Sequence, residues 1–169
     1  MPKFISSYVK FIDLICEKVG KFVMYWVFFM MFLLILSFVT RNIINYPLMW
    51  IIEMAQFTIT AYYLLGGGYS MLTDDHVRMD LFYGKLTKKG KAKMDIFTSI
   101  FLIFFLAVLF FGSITSLIYT IETKQKLFTA WAPYVWPIKS LMLLGILLML
   151  LQAFSTLFKD IANLKDKEI

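Results

Sequence analysis

The sequence predicts an all-α integral membrane protein with four transmembrane helices and both termini in the cytoplasm. An N-terminal amphipathic helix lies along the inner membrane surface before the first crossing. Three observations carry this. The 169-residue chain is 60% apolar and 18% aromatic, leaving too few polar residues to cover a soluble surface. Four stretches are nearly free of charge, and each supplies the roughly 20 apolar helical residues that a hydrocarbon core of about 30 Å demands. Lysine and arginine collect in the two tails and one middle connector. Helices satisfy their own backbone groups in lipid, and runs this long do not resemble the alternating strands of a membrane barrel.

Residues 1–20 contain "KFISSYVKFIDLICEKVG". On a helical wheel Phe4, Ile5, Tyr8, Phe11, Ile12, Ile15, Cys16 and Val19 fall on one side, and Lys3, Ser6, Lys10, Asp13, Glu17 and Lys21 on the other. Such a moment with a basic polar face suits the inner surface of a bilayer, and Gly20 offers a bend into the first span. The alternative is a straight extension of the first transmembrane helix into the cytoplasm.

The spans follow at 22–40, 48–72, 96–120 and 137–158, with a cytoplasmic connector at 73–95, all within one membrane domain over 1–169. The first run is too long for a signal-peptide core and no small-residue cleavage site follows it, so a retained anchor is expected. The second carries one charge, Glu53, near its start. An aromatic, proline-broken "TAWAPYVWP" leads into the fourth.

Orientation rests on the basic residues. Lys3, Lys10, Lys18 and Lys21 mark the N-terminal tail, and Lys159, Lys165 and Lys167 the C-terminal tail. Arg78, Lys85, Lys88, Lys89, Lys91 and Lys93 mark the middle connector. The other two connectors hold only Arg41, Lys124 and Lys126, with Lys139 at the edge of the fourth span. This bias puts both tails and the middle connector in the cytoplasm.

Several function classes are disfavoured. The net charge is +6, but the basic residues are split among connectors and form no nucleic-acid face. A single cysteine, Cys16, cannot form an intramolecular disulfide. A single histidine, His76, cannot supply two haem ligands or a multi-histidine metal cluster. No cofactor, metal or catalytic group is expected, and the chain does not read as an enzyme.

Glu53 is the sharpest candidate, because intramembrane carboxylates are commonly functional. Its place about one turn inside the outer face favours an ion pair with Arg41, which ends the first span, or Lys139, which opens the fourth. Tyr46, Trp50, Trp131, Tyr134 and Trp136 gather at the same level, as interface anchors do. With Pro133 and Pro137 they also form a stiff surface suited to a partner. Gly66, Gly67 and Gly68 read as a close-packing site between helices; a loosened, ion-coordinating helix is the alternative. In "DDHVRMD", His76, Arg78 and Asp80 alternate with Val77, Met79 and Leu81, as an interfacial clamp would. The following "KLTKKGKAK" suits anionic lipid headgroups.

Two segments resemble one family. "TRNIINYPLMWIIEMAQ" is similar to the part of TRAP-transporter small membrane subunits (DctQ-like) in which an arginine closes the first helix and a tryptophan precedes a glutamate in the second. "LLGGGYSMLTDDHVRMDLFYGKL" resembles their next signature, a glycine-rich helix end followed by a His-Val-Arg-Val-Asp-like strip and an apolar turn. Met79 stands where a branched aliphatic is commoner. The resemblance implies a static scaffold in a tripartite ATP-independent periplasmic transporter of the bacterial inner membrane. Such systems import organic acids, such as dicarboxylates or sialic acid, with a sodium gradient. The implied partners are a large multi-helix membrane subunit and a periplasmic substrate-binding protein. The resemblance assigns Arg41, Trp50 and Glu53 to the outer end and His76, Arg78 and Asp80 to the inner end.

Two other readings compete. One is an autonomous, homodimeric proton-coupled transporter using Glu53. The other is a quinone- or haem-anchoring subunit, which the single histidine disfavours.

Overall fold

A computed structural model describes residues 3–46, 48–73 and 88–164. Five helices account for most of them: α1 (Lys3–Met24), α2 (Trp26–Asn42), α3 (Met49–Leu72), α4 (Lys88–Glu122) and α5 (Trp136–Leu164). There is no strand among the described residues, only one isolated antiparallel bridge between Lys126 and Tyr134.

Three stretches are long and apolar enough to cross a membrane: Ile5–Asn42, Lys93–Glu122 and Trp136–Ala162. Helix α3 is not among them. At 24 residues it is long enough for the hydrocarbon core, but Glu53, Gln56, Thr58, Thr60 and three tyrosines dilute its apolar character. Helix α4 runs 35 residues, about 52 Å, so it outreaches the hydrocarbon and includes part of the expected connector.

The first two helices follow one another almost without interruption. Tyr25 alone separates them, in a helical conformation (φ −71°, ψ −17°). Tyr25 N–H donates to the Phe22 carbonyl and Phe28 N–H to the Tyr25 carbonyl, two tight i→i−3 turns. The helix runs unbroken through Gly20, where a bend was expected, and is interrupted at Tyr25 instead. Gly20 has a packing role instead, since a Cβ there would lie 2.3 Å from Tyr69 Cγ. The glycine admits the neighbouring helix and leaves its own helix unbroken.

Helix α5 is the hub. It packs against α4 on one side, α3 on the other, and α1 across its second half. Helix α2 packs on α3 and touches α1 near the Tyr25 junction. Helices α2 to α5 thus follow the spatial order α4–α5–α3–α2, a row more than a closed bundle. Most helix surface faces outward: only 6% of the most apolar stretch of α4 is buried within the chain.

Glycine brings α3 and α5 together. A Cβ at Gly145 would stand 2.9 Å from Leu64 backbone atoms, and one at Gly67 would stand 2.8 Å from Met149 Sδ. Gly68 faces Cys16 and Leu148, so three helices meet there. Association in lipid relies on such contact, because tails are as apolar as the helices.

The connectors are compact. After α2, Ile43 and Ile44 N–H both donate to the Val39 carbonyl, Tyr46 N–H donates to the Thr40 carbonyl, and Asn45 takes a positive φ of 55°. Asparagine tolerates that region better than most residues, and the reversal sets α3 beside α2. Buried Thr40 and Thr58 return their hydroxyls to carbonyls one turn back, at 2.9 and 2.7 Å.

Gly145→Ala will lower the thermal unfolding midpoint in detergent, because the Leu64 backbone cannot yield; overpacking of this kind costs about 1–3 kcal/mol. Gly66→Ala meets nothing within 4 Å. It will leave the midpoint unchanged or raise it, since alanine is the better helix former by about 1 kcal/mol.

Candidate functional site

The described residues present no catalytic cluster, and none of their acidic, histidine or cysteine groups assemble into a metal site. Two polar clusters stand out, one at each end of the row.

At the end carrying the 43–48 and 123–135 connectors, Glu53 is 5% exposed and its Oε2 has no hydrogen-bond partner among the described residues. Arg41 stands exposed at the end of α2. Lys139 Nζ donates to the Thr120 hydroxyl at 2.5 Å. That hydroxyl also lies 2.8 Å from the Ser116 carbonyl and 3.2 Å from Gln125 Oε1. Neither expected ion pair of Glu53, with Arg41 or with Lys139, forms among the described residues. The reason is helical phase and spatial order. Arg41 closes a helix packed on the opposite flank of α3, and Lys139 turns toward α4.

The Lys139–Thr120–Gln125 chain braces the α4–α5 connector. Val135 N–H donates to the Gln125 carbonyl and Leu127 N–H to the Pro133 carbonyl. Lys126 Nζ sits 4.9 Å from the Tyr134 ring centroid. Lys124 and Ala132, both at φ 47°, turn the chain at either end. Phe128 is fully exposed at the tip, and Trp131, Tyr134 and Trp136 are each about half exposed. With Trp50 and Tyr46 they make an outward aromatic belt.

Between α2 and α3 at this end opens a cleft of about 270 Å³. Leu34 and Ser37 contribute from α2, and Ile52, Ala55 and Gln56 from α3. Glu53 does not line it.

The second cluster, missed in the sequence, pins α1 to α5. Asp13 Oδ1 accepts from Gln152 Nε2 at 3.0 Å and from the Ser155 hydroxyl at 3.1 Å. Asp13 Oδ2 lies 2.6 Å from Lys159 Nζ. Gln152 and Ser155 are fully buried, and Gln152 Oε1 finds no partner among the described residues. The Tyr8 hydroxyl donates to the Leu151 carbonyl at 3.3 Å, and its ring meets Phe158 edge-on. Asp13, read from the wheel as part of the polar face, thus turns into the protein. Gln152, Ser155 and Lys159 at i, i+3 and i+7 form a polar stripe in an otherwise apolar helix, and that stripe was the available signal. Around the clamp, Val9, Ile12, Cys16 and Val23 of α1 are buried, while Phe11 is 63% exposed.

The remaining candidates divide. Gly67 and Gly68 pack against α5, whereas Gly66 has open space. Trp50 and Trp136 face outward. His76, Arg78 and Asp80 lie outside the described residues.

Three helical stretches long and apolar enough to cross a membrane, with small-residue contacts and no catalytic or metal cluster among the described residues, fit a membrane component. A family model for tripartite ATP-independent periplasmic transporters, DctQ component, matches residues 30–163. The chain belongs to that DctQ family. No curated protein sequence matches it. The family is a component of transporters, not an enzyme family, and it belongs to systems of three parts. The DctQ match covers α3, α4, nearly all of α5 and most of α2; α1 precedes it. The Asp13 clamp therefore ties the preceding helix to the matched domain.

Asp13→Ala strands two fully buried donors and one half-buried ammonium. A loss of about 1–3 kcal/mol is expected in detergent unfolding, held to that range because Lys159 is partly hydrated. Asp13→Asn keeps an acceptor for Gln152 and Ser155 and will lose less. Equal stability of the alanine variant and the parent protein would show that the clamp adds nothing.

Proposed function

We propose that this DctQ-family chain is the small scaffold subunit of a sodium-driven TRAP transporter importing organic acids, carboxylates such as dicarboxylates or sialic acid. It works with a large membrane subunit that carries the moving machinery and a periplasmic protein that captures substrate. The observation that carries this reading is the family match, joined to a row of helices whose outer faces are apolar and uncovered. A carrier needs a polar path with groups that bind and release its cargo. The cleft between α2 and α3 is lined mainly by aliphatic side chains, and Glu53 lies outside it.

In this reading α2 to α5 all cross the inner membrane, α3 as the fourth span because its neighbours α2 and α5 shield its polar residues. Both termini and the middle connector face the cytoplasm, and α1 lies at the inner surface, fixed by Asp13. His76, Arg78 and Asp80 hold the inner end. Arg41, Trp50 and the aromatic belt mark the outer end, and Lys139 holds the α4–α5 connector in place. The large subunit covers an apolar flank of the row, so its contact is built from packing more than from ion pairs.

One observation favours the autonomous proton-coupled reading: the buried, unpartnered Oε2 of Glu53. A single transport experiment separates the two. The chain alone in sealed liposomes, given a sodium or proton gradient, will take up no organic acid. Uptake will require co-reconstitution with the large subunit and the periplasmic binding protein, and mild detergent will release the two membrane subunits together. Flux from the chain alone, abolished by Glu53→Gln, would establish the autonomous transporter and end the scaffold reading.

A further inference from the structure

We infer that the cleft between α2 and α3 holds one glycerophospholipid, with an acyl chain between the helices and its phosphate on Arg41. The inference rests on the reading that α2 and α3 cross the membrane. Met30, Leu34 and Ser37 line the cleft from α2, and Arg41 continues the same stripe at i, i+4, i+7 and i+11. From Met30 to Arg41 is about 16 Å along the helix, the depth of one leaflet in a core of about 30 Å. Ile52, Ala55 and Ile59 close the other wall.

Arg41 is exposed and its side chain makes no ion pair or hydrogen bond among the described residues. A guanidinium one turn beyond Ser37 on the cleft-lining face of α2 matches a phosphate diester above its hydrocarbon tail, and the planar fork can bind two phosphate oxygens together. Glu53, the nearby carboxylate, does not line the cleft and so does not oppose the phosphate there. A partner helix would need an apolar groove running the length of the pair. This cleft spans the middle of α2, from Met30 to Ser37, and its stripe ends one turn later in a cation, which selects a lipid headgroup of that leaflet.

The full-length chain, purified in a mild detergent, is examined by native mass spectrometry with added phosphatidylglycerol or with diacylglycerol of the same acyl chains. The wild-type chain will retain one phosphatidylglycerol. Arg41→Gln will weaken that retention about tenfold, the scale of one charge-assisted pair, while diacylglycerol retention stays the same. Ala55→Phe fills the slot and will abolish both, with helical circular dichroism as its folding control. Should Ala55→Phe misfold, phosphatidylglycerol carrying a diazirine in its acyl chain decides on the wild-type chain: cross-links will fall on α2 and α3 residues of the cleft. Cross-links spread over the exposed face of α4, or retention unaffected by both variants, would overturn the site. Preferential capture of an apolar peptide helix with no lipid retained would also overturn it. The crossing is tested separately with single cysteines at Asn42 and Thr73 in sealed vesicles. Labelling of both from one side refutes the crossing; labelling from opposite sides without lipid retention refutes only the lipid site.

Discussion

The close parallel contact of α3 with α5 is the constraint on which the rest of the structure depends. In a bilayer two apolar helices gain little by meeting, because lipid is an equally good solvent for both. Shape must do what the hydrophobic effect does in water. Gly145 against Leu64 and Gly67 against Met149 bring the two backbones close enough for dense contact, and Gly68 leaves room for Cys16 of α1. With that seam closed, α4 and α2 take the free sides of α5 and α3, and a row results. A row leaves two broad, open apolar faces, where a bundle presents only a convex outer surface. A subunit built to lie against a larger neighbour gains from such a shape.

Polar residues in this chain fasten more than they conduct. Asp13 gathers Gln152, Ser155 and Lys159 at one end. Lys139 meets Thr120 and Gln125 at the other. The first joins elements distant in sequence, α1 to α5, and the second braces the connector between the consecutive α4 and α5. The middle of the row is held by glycine, methionine and aliphatic contact. Glu53 departs from this pattern, since its buried oxygen lacks a donor among the described residues. An unpaired buried acceptor costs about 1–3 kcal/mol, so the site is under pressure to gain a donor on assembly.

Much of this was legible in the sequence, and the failures have physical causes. Uninterrupted apolar runs fixed the places of α2, α4 and α5, because length and hydrophobicity alone decide whether a helix can cross. The "NYPLMWIIE" and "GGGYS" segments carried the family resemblance and lie within the matched residues. The glycine reading was right in kind for Gly67 and Gly68, but one-dimensional spacing could not tell them from the uncrowded Gly66. Gly20 was misread as a bend for the same reason: a glycine that admits Tyr69 looks identical in sequence to one that breaks a helix. Asp13 was placed with the polar face because a wheel reports periodicity and not neighbours. The pairing of Glu53 with Arg41 or Lys139 assumed that residues at one depth are adjacent, and the order of the row separates them.

The central claim is that the chain is a static row of helices with no moving conduit. Pulsed electron paramagnetic resonance tests it most directly, with spin labels at the exposed positions Ile35 of α2 and Phe105 of α4 and Cys16 replaced by alanine. Three interhelical steps put the two ends of a row roughly 20–30 Å apart, against about 14 Å or less in a closed four-helix bundle. A single long distance, unchanged when sodium and a transported acid are supplied to the assembled transporter, is the predicted result. A short distance, or one that shifts during transport, would contradict the account.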